Sequence, residues 1–185
     1  MTPSSGTILT AEGRPEGRGA GTGPLTPVTA DLVDAYESVL RCCEVQFRQF
    51  GGVPRFGGPI RTVKSFEDNT LIKQALSEPG RGAVLVVDGG GSVRCSLLGD
   101  YLAGLGLKNG WVGMVVWGAV RDTVALGKLA FGLKALGANP LRSSKTGSGQ
   151  RDGAVAFGGV TFRPNEWLYS DEDGIVVSER ELSLP

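Results

Sequence analysis

Two short stretches carry the polar groups best placed to do chemistry. Gly99-Asp100-Tyr101-Leu102 falls near the beginning of an expected central helix, and Arg121-Asp122 follows the apolar run Val112 to Trp117 and its Gly118-Ala119-Val120 extension. In α/β proteins the carboxyl ends of parallel strands border the crevice where ligands bind. An Arg beside an Asp there sets a cation and a carboxylate at one mouth. The dipeptide reads equally as a structural ion pair or a solvated turn. A third stretch, Asp88 to Arg94 (DGGGSVR), follows another apolar strand, and its glycines would let backbone amides converge on an anion. It fits neither GxGxxG nor GxxxxGK[ST], and no acidic residue is placed for a dinucleotide ribose. It reads as a tight turn beside a crevice.

Composition narrows the chemistry. The 185 residues include no histidine, so Ser-His-Asp and Cys-His catalysis, HExxH zinc sites and imidazole ligands are all excluded. Carboxylates, Lys, Tyr, Cys, backbone groups and metal-bound water remain. An oxygen-donor set of one or two carboxylates suits Mg²⁺ or Mn²⁺, and no soft ligand set for zinc exists. Lys73, Lys108, Lys128 and Lys134, the candidates for a Schiff base, fall in helical or turn contexts without the signature of an apolar pocket. Cys42, Cys43 and Cys95 are odd in number and include an adjacent pair, which is no disulfide framework; they read as buried filler in a reducing cytoplasm. The balance of 19 basic against 19 acidic residues argues against direct nucleic-acid binding. No secretory signal and no membrane span is visible, so a soluble, cytoplasmic protein is expected.

These residues need elements to position them. In residues 1–27, 17 are Gly, Pro, Ser or Thr, which predicts a disordered tail ahead of one domain at 28–185. A helix capped by Thr29 or Asp31 is expected to run to Cys43, followed by a strand near Ile60 to Val63 and a helix over 67–78. The apolar run Ala83 to Val87 reads as a strand, Cys95 to Leu107 as a helix, and Val112 to Trp117 as a second strand, together a parallel crossover. A short helix after Asp122 and a strand-like return ending near Pro140 follow. The stretch 143–153 reads as loop, with Arg142, Lys145 and Arg151 as a basic, solvated face that would otherwise touch a neighbouring site. Short strands at AVAFGG, VTF and GIVVSE close the chain, with Asn165-Glu166 and Asp171 to Gly174 as turns. Phe56, Phe66 and Phe157 are core candidates, and Trp111 and Trp117 read as packing or subunit-interface residues.

The stretches FGGPIRTVKSFEDNTLI, GAVLVVDGGGSVRCSLLGDYLA, GWVGMVVWGAVRD, NPLRSSKTG, VAFGGVTF and WLYSDEDGIVVSE follow one another between about residues 29 and 179. In content and order they resemble the family typified by the regulator of ribonuclease activity A, which also contains class II 4-hydroxy-4-methyl-2-oxoglutarate aldolases. The resemblance implies an α/β fold: a single swivelling-type β/β/α domain with a mixed β core and a central β-α-β crossover, assembled as a homotrimer with clefts between subunits. Two behaviours are known in that family. Its enzymes use a divalent metal to cleave an aldol to pyruvate and also decarboxylate oxaloacetate, whereas its regulators bind and restrain an RNA-degrading endonuclease.

An acid directly after the Arg distinguishes the enzymes, and Asp122 supplies it here. By resemblance Asp122 would be the direct metal ligand and Asp100 would hold metal-bound water, the expected base in a chain without histidine. Arg121 would bind the substrate, and the backbone from Gly99 through Asp100 and Tyr101 to Leu102 would receive its carboxylate. The chain departs from the enzyme pattern at Ala125, where another acid is usual, and has no clear equivalent of a glutamate supplied by the extended C-terminus of a neighbouring subunit. The implied function is metal-dependent cleavage of 4-hydroxy-4-methyl-2-oxoglutarate to two pyruvates, with oxaloacetate decarboxylation; the alternative is a non-catalytic regulator of a ribonuclease.

Overall fold

The computed structural model describes residues 25–185; most of the expected tail at 1–27 therefore lies outside the described residues. Helix α1 (Thr29–Tyr36) runs into a 3-10 turn at Glu37–Val39, and the short strands β1 (Arg41–Cys42) and β2 (Arg48–Gln49) lead to the long β3 (Phe56–Lys64). Then come α2 (Thr70–Leu76), β4 (Val84–Asp88), β5 (Ser96–Leu98), α3 (Asp100–Lys108), β6 (Gly113–Val120), α4 (Thr123–Leu126) and β7 (Gly132–Ala138). The chain closes with β8 (Gln150–Arg151), a hairpin of β9 (Val155–Phe157) and β10 (Val160–Phe162), and β11 (Trp167–Ser170) and β12 (Ile175–Ser178).

The main sheet has the order β1-β12-β11-β3-β4-β6-β7-β2, with β5 added to β6 and β8 to β3. Its centre, β3-β4-β6-β7, is parallel, and the strands on both flanks pair antiparallel. Parallel strands are covered on both faces, which is why AVLVV and GMVVWGAV read as nearly unbroken apolar runs. Alternate residues divide between two cores. Leu85, Val87, Met114 and Val116 pack with Ile72, Leu76, Leu102 and Phe131 beneath the helices. Val84, Val86 and Val115 pack with Phe157, Val160 and Phe162 of the hairpin and with Leu168 and Val177. The fold is thus α/β with a mixed sheet core flanked by helices. No helix among the described residues is long and apolar enough to cross a membrane.

Several local expectations give way to the sheet. Helix α1 stops at Tyr36, and Arg41-Cys42 instead pair with Val177 and Val176 at the antiparallel edge of β12. Neither Thr29 nor Asp31 caps α1. Thr29 is its first residue and donates its amide and hydroxyl to the carboxylate of Asp171, 2.5 and 2.7 Å away. Asp171 is therefore a buried tie between the start of α1 and the turn that links β11 to β12, as well as a turn residue. The segment 95–107 begins as strand: Ser96 and Leu98 pair with Ala119 and Val120, since β6 extends three residues past Trp117. Strand β11, hidden between two turns, pairs with β3 on one side and β12 on the other. Phe66 is 58 % exposed beneath the guanidinium of Arg94, while Phe56 and Phe157 are core residues. Cys42 is exposed, and Cys43 and Cys95 are buried.

Candidate active-site cleft

Strand β5 ends at Leu98, Gly99 continues extended at φ −130° and ψ −178°, and α3 starts at Asp100. The first turn of a helix leaves amides without intrahelical acceptors, so the N–H groups of Asp100 and Leu102 open toward this end of the sheet. The Tyr101 amide is already taken, donating to Oδ1 of Asp100 at 2.7 Å. Next to this turn, β6 ends at Val120 and the Arg121 amide donates to the Leu98 carbonyl at 2.9 Å, which fastens the two strand ends together. Asp122 then turns the chain into α4 in the left-handed conformation, at φ 59°. A non-glycine residue held there carries backbone strain of the kind that clusters at functional sites.

The Arg121 Nε sits 3.2 Å from Asp122 Oδ2, both side chains about one-third exposed. Gly99 makes this arrangement possible. A Cβ at position 99 would lie 2.5 Å from Asp122 Oδ2 and 3.3 Å from Arg121 Nε. The bare Cα thus faces the protein's own carboxylate, where the sequence suggested only a close approach to a ligand. Gly99, Asp100, Tyr101, Leu102, Arg121 and Asp122 all line one cavity of about 200 Å³. Tyr101 is 71 % exposed at its edge, and Leu102 is buried.

Asn69, Lys73 and Ser143 are not expected here from the sequence, which offers Arg142 and Lys145 only as a solvated face or beside a neighbouring site. Asn69 and Lys73 of the α2 segment and Arg142, Ser143 and Lys145 of the following loop border the same cavity. Arg142 and Lys145 therefore face this chain's own cleft, while Arg151 pairs with Glu78 at 2.7 Å elsewhere. What brings α2 and the loop together is Asp68, only 1 % exposed. Its carboxylate accepts the amides of Thr70 (2.8 Å), Thr146 and Gly147 (3.1 Å) and the hydroxyls of Thr146 (2.8 Å) and Ser144 (3.3 Å). Burial by itself would raise its pKa; the bonds from Thr70 and Thr146 outweigh that and hold it well below the usual carboxylate range. The signal available in the sequence was an Asp-Asn pair before a helix, together with a Ser/Thr/Gly turn carrying two cations.

The glycine-rich stretch after β4 is a turn. Gly90 and Gly91 have φ of 68° and 71°, the Gly89 and Gly91 amides both donate to the Trp117 carbonyl at 3.1 Å, and the Gly90 amide donates to Asp88 Oδ1 at 3.0 Å. Those donors are spent internally. Trp117 stacks on Phe157 at 5.3 Å, and Trp111 is buried with its Nε1 on the Glu78 carbonyl, so both pack. Among the lysines, Lys134 lies on β7, 3 % exposed, and its burial pushes the ammonium pKa down, an environment the sequence reading placed in a helix or turn. It does not border the cleft; Lys73 does.

Among the described residues no three Asp, Glu, Cys or His side chains cluster as a closed metal cage. The cleft offers Asp100 and Asp122, hard oxygen donors on an open rim. That set fits a hydrated Mg²⁺- or Mn²⁺-like cation, which keeps waters and takes one or two carboxylates. It does not fit zinc.

Fold and cleft together define an α/β domain that gathers Arg121 and the carboxylates of Asp100 and Asp122 around one cavity at the carboxyl end of a parallel sheet. The chain belongs to the RraA-like family: the family model described as Aldolase/RraA matches residues 29–177. A protein of Alkalilimnicola ehrlichii named "Putative 4-hydroxy-4-methyl-2-oxoglutarate aldolase" is 56% identical over 154 residues, covering 83% of this chain and 96% of the relative. Two solved structures are similar. One, from Geobacillus kaustophilus, is named as an S-adenosylmethionine: 2-dimethylmenaquinone methyltransferase (TM-score 0.83, 44% identity, 84% of this chain and 96% of that one). The other, from Thermus thermophilus, is the RNA-processing inhibitor RraA (TM-score 0.82, 43% identity, 86% and 96%). The three names disagree on activity.

Proposed function

We propose that the protein is a divalent-metal-dependent lyase that cleaves 4-hydroxy-4-methyl-2-oxoglutarate to two pyruvates and decarboxylates oxaloacetate. The observation that carries this reading is the convergence of Arg121, Asp122, Asp100 and the first turn of α3 on one cavity. Homology to aldolases supports the same class. Asp122, with Asp100 beside it, would hold the cation. When bound, it would supply an electron sink for the charge that grows on a 2-oxo acid as its C–C bond breaks.

The chain's own groups do the rest. The free amides at the start of α3 receive the C1 carboxylate, and the Arg121 guanidinium sits where negative charge grows on the C2 oxygen. The C4 hydroxyl loses its proton toward the Asp100 side of the cleft, the C3–C4 bond breaks, its electron pair passes into the enolate of one pyruvate, and the proton is returned to C3 of that enolate. The other pyruvate leaves with the new carbonyl. In oxaloacetate the same electron flow releases CO₂.

A coupled pyruvate assay with Mg²⁺ or Mn²⁺, repeated with EDTA, tests this: release from at least one substrate is expected, abolished by the chelator. Homotrimeric assembly belongs to the same reading and predicts a sedimentation mass of three chains. A second reading, a non-catalytic regulator that binds an RNA-degrading endonuclease, is favoured by the likeness to the Thermus inhibitor and by Ala125 in place of an acid. Its test is direct binding of the purified chain to the endonuclease, with no pyruvate released from either substrate.

A further inference from the structure

We infer, on the lyase reading, that the ring of Tyr101 is a specificity-determining surface of the cleft: it receives an apolar substituent on C4 of the bound 2-oxo acid, so that a methyl group there is recognised and not merely tolerated.

Three apolar side chains border the cavity, Leu98, Tyr101 and Leu102, and every other lining residue is polar, charged or glycine. The two leucines are already committed to the protein. Leu98 is 1 % exposed and Leu102 7 %, and both pack into the core beneath the helices. Tyr101 is the opposite case, with 71 % of its surface in water. A single exposed hydrophobic residue on an open surface needs no explanation. One at the mouth of a cavity whose other free groups are polar offers the only apolar area that a ligand can still take from water.

The ring is also well mounted for this role. It hangs from the first turn of α3, where the Tyr101 amide donates to Asp100 Oδ1 at 2.7 Å, so a helix and not a loop sets its position. The Tyr36 hydroxyl donates to the Ser183 carbonyl and the Tyr169 hydroxyl accepts the Leu182 amide. Among the described residues nothing ties down the Tyr101 hydroxyl in this way. An apolar ring with a wet tip suits the boundary between a ligand and solvent.

The order of groups along the substrate points to C4. With the C1 carboxylate at the α3 amides and the C2 oxygen at Arg121, the buried leucines lie beside the first two carbons. C4 is two bonds farther toward the mouth, where Tyr101 stands. Polar substituents on C4 have the rest of the wall; a methyl group has only the ring.

Titration calorimetry on the full chain with Mg²⁺ present tests this with two ligands that cannot undergo the cleavage. They are 2-oxoglutarate and 4-methyl-2-oxoglutarate, which differ by one methyl group and both lack the C4 hydroxyl. Wild type should bind the methylated ligand about fourfold tighter, the scale of one methyl group taken from water. In Tyr101→Ala that preference should disappear, whatever happens to either affinity alone. In Tyr101→Phe it should persist, because the ring and not the hydroxyl carries it. A merely structural role would shift both affinities together and leave their ratio. No preference in wild type, an unchanged preference in Tyr101→Ala, or its loss in Tyr101→Phe overturns the inference. Pyruvate release from 4-hydroxy-4-methyl-2-oxoglutarate and from 4-hydroxy-2-oxoglutarate separates this from the lyase reading. If both are cleaved and Tyr101→Ala keeps the wild-type preference in kcat/KM, the Tyr101 assignment alone fails. If neither is cleaved while the calorimetric preference depends on the ring, the lyase reading fails and the methyl-binding surface stands.

Discussion

Asp68 and Asp122 stand on two segments that meet at the same cleft, and they differ in what their oxygens have left to give. Asp68 is buried, and its oxygens accept five donors from α2 and the 144–147 loop. Asp122 keeps a side chain 35% exposed, strained backbone, and a single arginine 3.2 Å away. A saturated carboxylate builds; one with spare lone pairs is available to a ligand.

That contrast can be broken or sharpened in five places. The largest effect is expected at Asp122→Ala, which should remove metal-dependent turnover by about 10³-fold or more, or about 4 kcal/mol, with the fold intact by circular dichroism. Arg121→Ala should lose about 10²- to 10³-fold. Near-full turnover in either variant would falsify the residue assignment.

Asp68→Ala should act on stability instead, costing about 3 kcal/mol because five donors lose their acceptor. Its pH dependence has a definite sign. The folded pKa lies below the ordinary carboxylate value, so the stabilisation is complete above about pH 4 and is lost as the pH falls toward the folded pKa. Asp171, also lowered against its burial by bonds from Thr29, adds to the same slope. Denaturant titrations should show wild-type stability falling below about pH 4 and a flatter profile for Asp68→Asn; parallel profiles would count against the assignment.

Gly99→Ala comes next. Its backbone conformation suits alanine, but the added Cβ meets Asp122 Oδ2 at 2.5 Å, so kcat/KM should drop about tenfold with little change in Tm. Unchanged kinetics would mean that the carboxylate's place does not matter. The smallest effect is expected at Lys134→Met. Burial lowers the ammonium pKa, so the charged form weakens the fold below that pKa, and stability rises as pH climbs from it toward the ordinary lysine value. Removing the charge should stabilise by about 1 kcal/mol at neutral pH. A loss of stability would reveal an attraction to Asp171 and Glu172 that outweighs burial.

The two segments also differ in how far the sequence revealed them. Gly99 to Leu102 and Arg121-Asp122 sit at junctions of strand and helix, where apolar runs stop and polar residues begin, and that grammar is local. Lys73 and Lys145 are separated by the whole central crossover and meet only because Asp68 ties their segments together, which no local pattern encodes. The same reason accounts for β5, which the local pattern reads as part of a helix, and for β11, which it leaves unassigned. Ser96–Leu98 and Trp167–Ser170 are too short for periodicity to decide between helix, strand and turn, and sheet neighbours distant in sequence settle them. The long apolar runs of β4 and β6, buried on both faces, were legible from the start.

The central claim is that the Arg121-Asp122 turn makes this cleft a metal-dependent lyase. Pyruvate release from 4-hydroxy-4-methyl-2-oxoglutarate, followed across a Mg²⁺ titration for wild type and Asp122→Ala side by side, tests it most directly. Saturable, metal-dependent release by wild type and none above background by the variant is the predicted result. Equal release by both, or release by wild type that ignores Mg²⁺ and EDTA, would contradict it.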